Sequence, residues 1–537
     1  MEHIKIDNLS YSYKVDEKKV LNNINLSINK GEIVLIVGES GSGKSSLLKT
    51  LTGAIPHFYG GEINGKVFFE GKALSDMPVR DRAKKVAMVF QSPESQIIMD
   101  KVHREVAFSL ENLAVSEKSI KRRVFEALQF LNILDIAYED IENLSGGEKQ
   151  KVVLASVLAM KSDVIILDEP TSQLDPQSSE ELINLVKKIN MELGKTIIIV
   201  EQKIDYTFDI ADKIVIMKEG NVDFVGSRQD LYRSNYEEFL PMYLKIAKKL
   251  RFEDVDNIRD VRRKLNEYIK GLSNVNILSD NTLENNNEIL KLSNLNVIMD
   301  NKKILKNINL SFNQGRIYSI VGENGAGKST LLKSIMNLVK HSGDIIYNKS
   351  KISRMKVSEI AKNIGYVSQN PNDYISKDTV FEEIKFTLDN FGIYNYLSIE
   401  KVLTELEIYH LRDKNPRDLS EGEKERVAIA SVLVMNSNIL LLDEPSKGLD
   451  YKNKRNLGKI LKRLSNEGKT IIMVSHDIDY VAEYSDEIIL LLNGEVIDKG
   501  ITNDILREGI YYTSTINKLS GCDNIFTLED LINEKAI

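Results

Sequence analysis

A chain of 537 residues exceeds what one hydrophobic core organises, so two domains of about 200 to 250 residues are expected. With 42% hydrophobic and 28% charged residues the composition is that of an ordinary globular protein, and a net charge of −7 argues against a nucleic-acid partner, which calls for a basic face. A single cysteine, Cys522, excludes an intramolecular disulfide and a cysteine-ligated metal cluster, and it fits a reducing cytosol.

The chain opens on MEHIKIDNLSYSY, whose acidic residues and lack of an apolar run give no sign of a signal peptide. The strand VLIV then runs into GESGSGKS (Gly38 to Ser45) and the helix SLLK. Gln91 is the second residue of FQSPESQIIMDKVHREVAFSLENL, which is followed by LSGGEKQKVVLA from Leu144, the strand VIILDEP with Asp168 and Glu169 near its end, and the strand IIIVEQKID containing Gln202. A mixed-charge stretch, FLPMYLKIAKKL and RDVRRKLNEYIKGL, leads to the polar run Ser279 to Glu288, which has no apolar period and reads as a flexible linker. The series then repeats in the same order: YSIV, GENGAGKS (Gly322 to Ser329), Gln369, LSEGEKERVAIA from Leu419, ILLLDEP ending in Asp443 and Glu444, and IIMVSHDID with His476. The chain is therefore a duplication, divided into 1–240, an extension and linker over 241–288, 289–510, and a terminal extension over 511–537. Its longest apolar stretch, VVLASVLAM before Lys161, is about half the ~18 residues that a membrane span needs.

Alternating apolar strands and amphipathic stretches predict an α/β fold with a mainly parallel sheet, its chemistry gathered at the carboxyl ends of the strands. Both glycine-rich loops fit G-x-x-x-x-G-K-[ST] between a strand and a helix. Glycines there let backbone N–H groups turn in around a polyphosphate, and the helix N-terminus adds its positive end. Gly38, Ser40, Gly41, Gly43, Lys44, Ser45 and Ser46 form one such cradle; Gly322, Asn324, Gly325, Gly327, Lys328, Ser329 and Thr330 form the other. Each lysine is placed to reach phosphate oxygens, and Ser45 or Ser329 to hold Mg2+. Asp168 and Asp443 end buried-looking strands where a carboxylate can hold Mg2+, while the adjoining Glu169 or Glu444 can polarise a water. Hydrolysis of a nucleoside triphosphate is the reaction implied.

With the LSGGE and LSEGE segments in place, the chain resembles tandem ATP-binding-cassette (ABC) ATPases over nearly its whole length. The resemblance implies two cassettes, each with a RecA-like parallel core, an antiparallel β part and a helical subdomain. It implies that Gln91 and Gln369 join the Mg2+ sites, that Ser172 to Asp175 and Lys447 to Asp450 are D-loops, and that His476 is the switch histidine. It further implies that the cassettes pack head to tail within the chain, each ATP lying between one phosphate loop and the other copy's signature: Ser145, Gly146 and Gly147, or Ser420 and Gly422. One composite site then joins Lys44, Asp168, Glu169 and Gln202 to Ser420, and the other joins Lys328, Asp443, Glu444 and His476 to Ser145. The first departs from the family pattern twice, with Gln202 for the histidine and Glu421 for a signature glycine. A glutamine cannot become an imidazolium, so this site is expected to hydrolyse slowly, unless glutamine substitutes adequately and both sites work. Tyr13 stands where the family stacks an aromatic on adenine, whereas the second copy offers Val297 or Met299. Such stacking is worth roughly 1–3 kcal/mol, about 5- to 150-fold in affinity.

The pattern Q-x-P-x-x-Q followed by V-x-x-E-V-A-F, and the FLPMYLKIAKKL extension, resemble the ATPases of energy-coupling-factor (ECF) vitamin and metal-ion importers. Carried over, Gln96, Glu105 and Glu383 would face a membrane-embedded coupling subunit, with Tyr374 standing where the second copy lacks the glutamine. A separate membrane subunit would bind the cargo, and the chain would sit peripherally on the cytoplasmic face of the cell membrane. A solvated helical subdomain over 92–143 is the alternative for this segment. Ribosome-associated tandem cassettes and the ATPases of other ABC importers remain alternative families. His3, His57, His103, His341 and His410 show no ligand spacing and are read as surface or packing residues.

Overall fold

A computed structural model of the chain describes residues 2–14, 19–39, 41–172, 174–202, 204–255, 257–271, 287–299, 301–370, 375–393, 396–447, 449 and 451–533. Ser40, Tyr374, Asp450, most of the polar run after Ser279 and the side chain of Glu421 lie outside the described residues. By internal contacts the chain divides into Met1–Lys245 and Ile246–Ile537. The division falls within the helix Met242–Lys249, and the following helix, Ile258–Gly271, packs against Thr515–Ser520 of the second unit.

Both units build the same two sheets. In the first, Leu21–Asn29, Glu2–Ser12, Glu62–Phe69 and Lys72–Ala73 form an antiparallel sheet in that order. The larger sheet runs Asn221–Gly226, Lys213–Lys218, Ile33–Val37, Thr196–Val200, Val164–Asp168, Val86–Val89, parallel except for its first pair. The second unit repeats the order with Glu495–Ile501, Glu487–Leu492, Ile317–Val321, Thr470–Val474, Ile439–Asp443 and Ile364–Val367. The central strands are buried along their whole length, which is why they read as unbroken aliphatic runs rather than alternating ones.

Alternation nevertheless decides which core each residue joins. Leu440, Leu442, Ile471 and Met473 face helices of the Val380–Leu433 region, whereas Ile439, Leu441, Ile472 and Val474 face the antiparallel sheet and Leu331, Leu332 and Ile335 of the phosphate-loop helix. Two residues beyond Leu441, Asp443 emerges on the phosphate-loop face, because side chains two apart share a side of a strand. Among the described residues no helix is long and apolar enough to cross a membrane.

Leu441 is fully buried and Ile510 is 96% exposed. Leu441→Ala should cost about 2–5 kcal/mol through the cavity it leaves, and Ile510→Ala less than about 0.5 kcal/mol, as read from urea unfolding midpoints.

Candidate functional site

Each phosphate loop is held open by its own lysine. Lys44 Nζ donates to the carbonyls of Gly38 and Glu39, both at 2.8 Å, and Lys328 Nζ donates to Gly322 and Glu323 at the same distances. Gly38 and Gly322 are glycines for lack of space: a Cβ would overlap the carbonyl oxygen of Met217 or Leu491 on the neighbouring strand. Helices Lys44–Thr52 and Lys328–Ile335 begin on Gly43 and Gly327 with no side-chain cap among the described residues, the kind of helix start that favours an anion. Asn324 and Gly325 form the exposed crown of the second loop, with Ala326, Gly327 and Lys328 buried beneath it and Thr330 half-buried on the helix. Tyr13 lies beside the first loop, its hydroxyl 3.0 Å from Ser46 Oγ and its ring edge-on to Tyr11. Of its two counterparts, Val297 is buried in the core and Met299 is 45% exposed.

The acidic pairs stand at the strand tips. Asp168 Oδ1 accepts from Ser45 Oγ at 3.5 Å. Burial, partly offset by Ser45 and Lys44, raises the Asp168 carboxyl above its ordinary value, and burial likewise raises Asp443, offset by Ser329. Among the described residues the buried Asp443 Oδ1 has no hydrogen-bond partner. An orphaned carboxylate oxygen beside a serine hydroxyl is an all-oxygen donor set, which fits a hard divalent cation such as Mg2+ that keeps most of its waters. Gln369 is exposed, and the amide nitrogen of Gln91 is turned onto Glu169 instead.

The two glutamates then diverge. Both leave their strands in the left-handed region, Glu169 at φ 45° and Glu444 at φ 60°, with N–H groups held by the carbonyls of Val200 and Val474. Such a conformation is uncommon for a residue with a side chain and marks a backbone held in place by its surroundings. Gln91 Nε2 donates to one oxygen of Glu169 and Gln202 Nε2 to the other, both at 2.7 Å. Burial raises this carboxyl above its ordinary value, and Lys44 and Gln202 only partly oppose it. Glu444 instead meets His476 Nδ1 at 2.7 Å. Burial pushes Glu444 up, but the His476 charge and hydrogen bond, with Lys328 and Lys447 behind them, outweigh it and hold the carboxyl below its ordinary value.

A third acid lies behind Glu169. Glu201 is buried, accepts the N–H and hydroxyl of Thr171 at 2.9 and 2.8 Å, and is pushed up to about 8 by burial and then by the charge of Glu169. Sequence reasoning missed it, although the signal was available: the second copy has Ser475 at the matching place.

The signature serines begin helices Gly146–Met160 and Glu421–Leu433, whose first turns contain Gly146, Gly147 and Gly422. Each serine is engaged by its own helix: Ser145 N–H and Oγ donate to Glu148 at 2.8 and 2.7 Å, and Ser420 does the same to Glu423 at 2.9 and 2.7 Å. The expectation that Glu105 and Glu383 face a partner needs correction. Glu105 is buried and accepts the N–H groups of Ile98 and Met99, and Glu383 is buried and accepts those of Ser376 and Lys377. Gln96 bonds back to Phe90 and Met88. A loop that would otherwise leave backbone donors unpaired draws the two glutamates inward, so they shape the loop rather than present themselves, while Gln96 stays half-buried. His3 is buried against Thr196, and His103 and His341 bond backbone carbonyls.

Glu169 and Glu444 should affect stability with opposite sign. A raised carboxyl costs stability once pH climbs above its ordinary value, and a lowered one contributes stability there that is lost as pH falls through the depressed value. At neutral pH Glu169→Gln should therefore raise the thermal midpoint of the nucleotide-free chain and Glu444→Gln should lower it, both differences shrinking toward acid.

The ABC transporter family model matches residues 21–172 and 305–447, one match in each copy. A protein of Bacillus cereus described as an ABC transporter ATP-binding protein is 34% identical over 527 residues, covering 96% of this chain and 94% of its own. One of Clostridium tetani with the same description is 40% identical over 424 residues, covering 78% of this chain and 95% of its own. Among solved structures, CbiO1 of Clostridium perfringens, described as part of the ABC transporter complex CbiONQ, is 30% identical over 47% of this chain and 97% of its own, with a TM-score of 0.41. With both copies matched and both acidic pairs set beside their phosphate loops, the chain belongs to the ABC transporter family, as a tandem pair of ATP-binding, ATP-hydrolysing cassettes.

Proposed function

We propose that the chain energises a membrane importer of the energy-coupling-factor type from two unequal ATP sites, of which the one built on Lys328, Glu444 and His476 carries turnover. The observation that carries the inequality is the environment of the two glutamates: one capped by two neutral amides and raised by burial, the other beside an imidazole and lowered. In this reading each ATP is bound by one copy's phosphate loop and by the other copy's signature, Ser145 completing the Lys328 site and Ser420 the Lys44 site. Bound Mg2+, held by Ser329 and Asp443 and by Ser45 and Asp168, would neutralise phosphate charge.

At the Lys328 site the ionised Glu444 orients and deprotonates water for attack on the γ-phosphate, and His476 holds the carboxylate and faces the phosphate. ADP and phosphate leave, and the signature loses its ligand. At the Lys44 site Gln91 and Gln202 each donate to one oxygen of Glu169 and hold the carboxylate turned toward themselves, so it is not presented to a water as Glu444 is in this arrangement. Tyr13 supports retention of nucleotide there. ATP thus works as glue at one site and as fuel at the other.

The importer assignment is supported by the Q-x-P-x-x-Q and V-x-x-E-V-A-F segments. In both copies a glutamate of the helix after the Q-loop, Glu105 or Glu383, gathers two successive N–H groups of the preceding loop. That gives each copy a preformed loop surface for a coupling helix. The chain would act peripherally, on the cytoplasmic face of the cell membrane, with a coupling subunit and a cargo-binding subunit as partners.

Glu444→Gln should lower steady-state ATP turnover on the order of 10²-fold or more, and Glu169→Gln less than about threefold; equal losses would overturn the division of labour. Affinity-tagged chain should be recovered from its own cells with membranes and with a small integral membrane protein. Recovery with ribosomes instead would sink the importer reading.

A further inference from the structure

Beyond the switch residue, each copy repeats a bond that the family motifs do not describe. Asp205 stands three residues past Gln202, and Asp479 three past His476. Met242 N–H donates to Asp205 Oδ1 at 3.1 Å. Thr515 N–H donates to Asp479 Oδ1 at 2.7 Å, and the Thr515 hydroxyl to Oδ2 at 2.7 Å. Met242 and Thr515 occupy the same place, the first turn of the helix with which each copy's extension begins: Lys245 N–H returns to the Pro241 carbonyl and Lys518 N–H to that of Ser514, both at 3.0 Å. The extensions share little else, FLPMYLKIAKKL against TSTINKLSG.

A second observation ties the extension of the later copy to its site. Val481 and Ala482, on the switch helix Ile478–Tyr484, form one apolar cluster with Leu506, Phe526, Tyr512 and Val321. Val321 is the last strand residue before Gly322 of the phosphate loop. The extension therefore touches both the strand that feeds the phosphate loop and the helix that follows the switch. His476 directly precedes Asp477, whose side chain caps that helix by accepting Tyr480 N–H, so the histidine sits at the helix's entry, one residue before the cap. Ile258–Gly271 packs on Thr515–Ser520 from outside, and Arg262 donates to the Lys518 carbonyl at 3.3 Å.

We propose that the terminal extension is a positioning element for hydrolysis: by capping Thr515, Asp479 fixes the switch helix so that His476 stays on Glu444. Asp479 acts through His476 and is a positioning residue. The proposal rests on the reading of the Lys328 site as the one that turns over. A carboxylate at a helix N-terminus is favoured by the helix dipole as well as by its hydrogen bonds, so removing it frees both partners to move. Small displacements of a group that orients the reacting atoms are felt in kcat.

The test compares Asp479→Ala, Thr515→Val and the double variant in the full chain by steady-state ATPase, with Asp479→Asn as the conservative exchange. Asp479→Ala should lower kcat about tenfold while the KM for ATP stays within about twofold. Asp479→Asn, which keeps one carbonyl acceptor, should recover part of that loss. Thr515→Val should lower kcat about threefold, and the double variant should be no worse than Asp479→Ala alone, because the two remove one interaction. Asp205→Ala should leave turnover within about twofold. Unchanged kcat in Asp479→Ala, losses that multiply in the double variant, or a rise in KM without loss of kcat would overturn the proposal. If Asp479→Ala fails to fold, Thr515→Val, which keeps the side chain's size, decides by the same split of kcat from KM. Glu444→Gln run alongside separates the two readings: retained turnover there refutes the working site and this proposal with it. Lost turnover there with a normal Asp479→Ala refutes the proposal alone.

Discussion

The constraint on which both sites depend is the register of the central parallel strands. Val164–Asp168 pairs with Thr196–Val200 so that Asp168 lies opposite Val200, and Ile439–Asp443 pairs with Thr470–Val474 so that Asp443 lies opposite Val474. That pairing ends both strands at one level and sets the residues that follow them, Glu169 with Gln202 and Glu444 with His476, side by side. A slip of one residue would turn each aspartate away from the phosphate-loop helix and into the opposite core. The aliphatic runs are thus more than ballast, because their burial on both faces is what makes the register unforgiving. The left-handed turn at each glutamate follows from the same pairing. Once the N–H of Glu169 or Glu444 is given to the neighbouring strand's last carbonyl, the chain has to reverse direction within one residue.

Given nearly identical backbones, the difference between the copies is electrostatic. The first sets Asp168 and Glu169 against Lys44 with the further acid Glu201 behind Glu169, whereas the second answers Asp443 and Glu444 with Lys328, Lys447 and His476. Ser172 stands in the first copy where the second has Lys447, and Glu201 where the second has Ser475. An extra acid is gained, and a lysine and an imidazole are absent at equivalent places. Desolvation dominates wherever no counter-charge opposes it, which is why Glu169 rises and Glu444 falls although both are buried.

Much of this was legible in the sequence because phosphate binding and the strand tips are written locally. G-x-x-x-x-G-K-S places Lys44, Ser45, Lys328 and Ser329 without reference to the rest of the fold, and an aliphatic run ending in Asp-Glu announces its own strand and its own tip. The duplication made Gln202 against His476 visible by comparison. What the sequence hid are contacts whose partners lie far apart or whose direction is free. Glu105 and Glu383 look like outward-facing acids until the loop before them is seen to need acceptors for its N–H groups. Ser145 and Ser420 read as phosphate ligands, yet Glu148 and Glu423, at the third residue of each helix, compete for the same hydroxyls. Asp479 could not be linked to Thr515 across the intervening strands without coordinates.

The capping of Ser145 and Ser420 bears on how ATP could join two cassettes. A helix N-terminus whose serine is already engaged by its own glutamate is a weaker anion receptor than the uncapped starts of Lys44–Thr52 and Lys328–Ile335. Nucleotide arriving at a phosphate loop therefore finds an uncapped helix start, while a signature, in the proposed two-sided site, would have to release its serine from Glu148 or Glu423 before contributing. The first event needs no such exchange. The second trades one hydrogen bond for another and brings a carboxylate near the γ-phosphate unless Glu148 or Glu423 swings away. In the proposed two-sided site, binding to one cassette and engagement of the other's signature would thus be energetically separate steps, as a closure that waits for a partner would require.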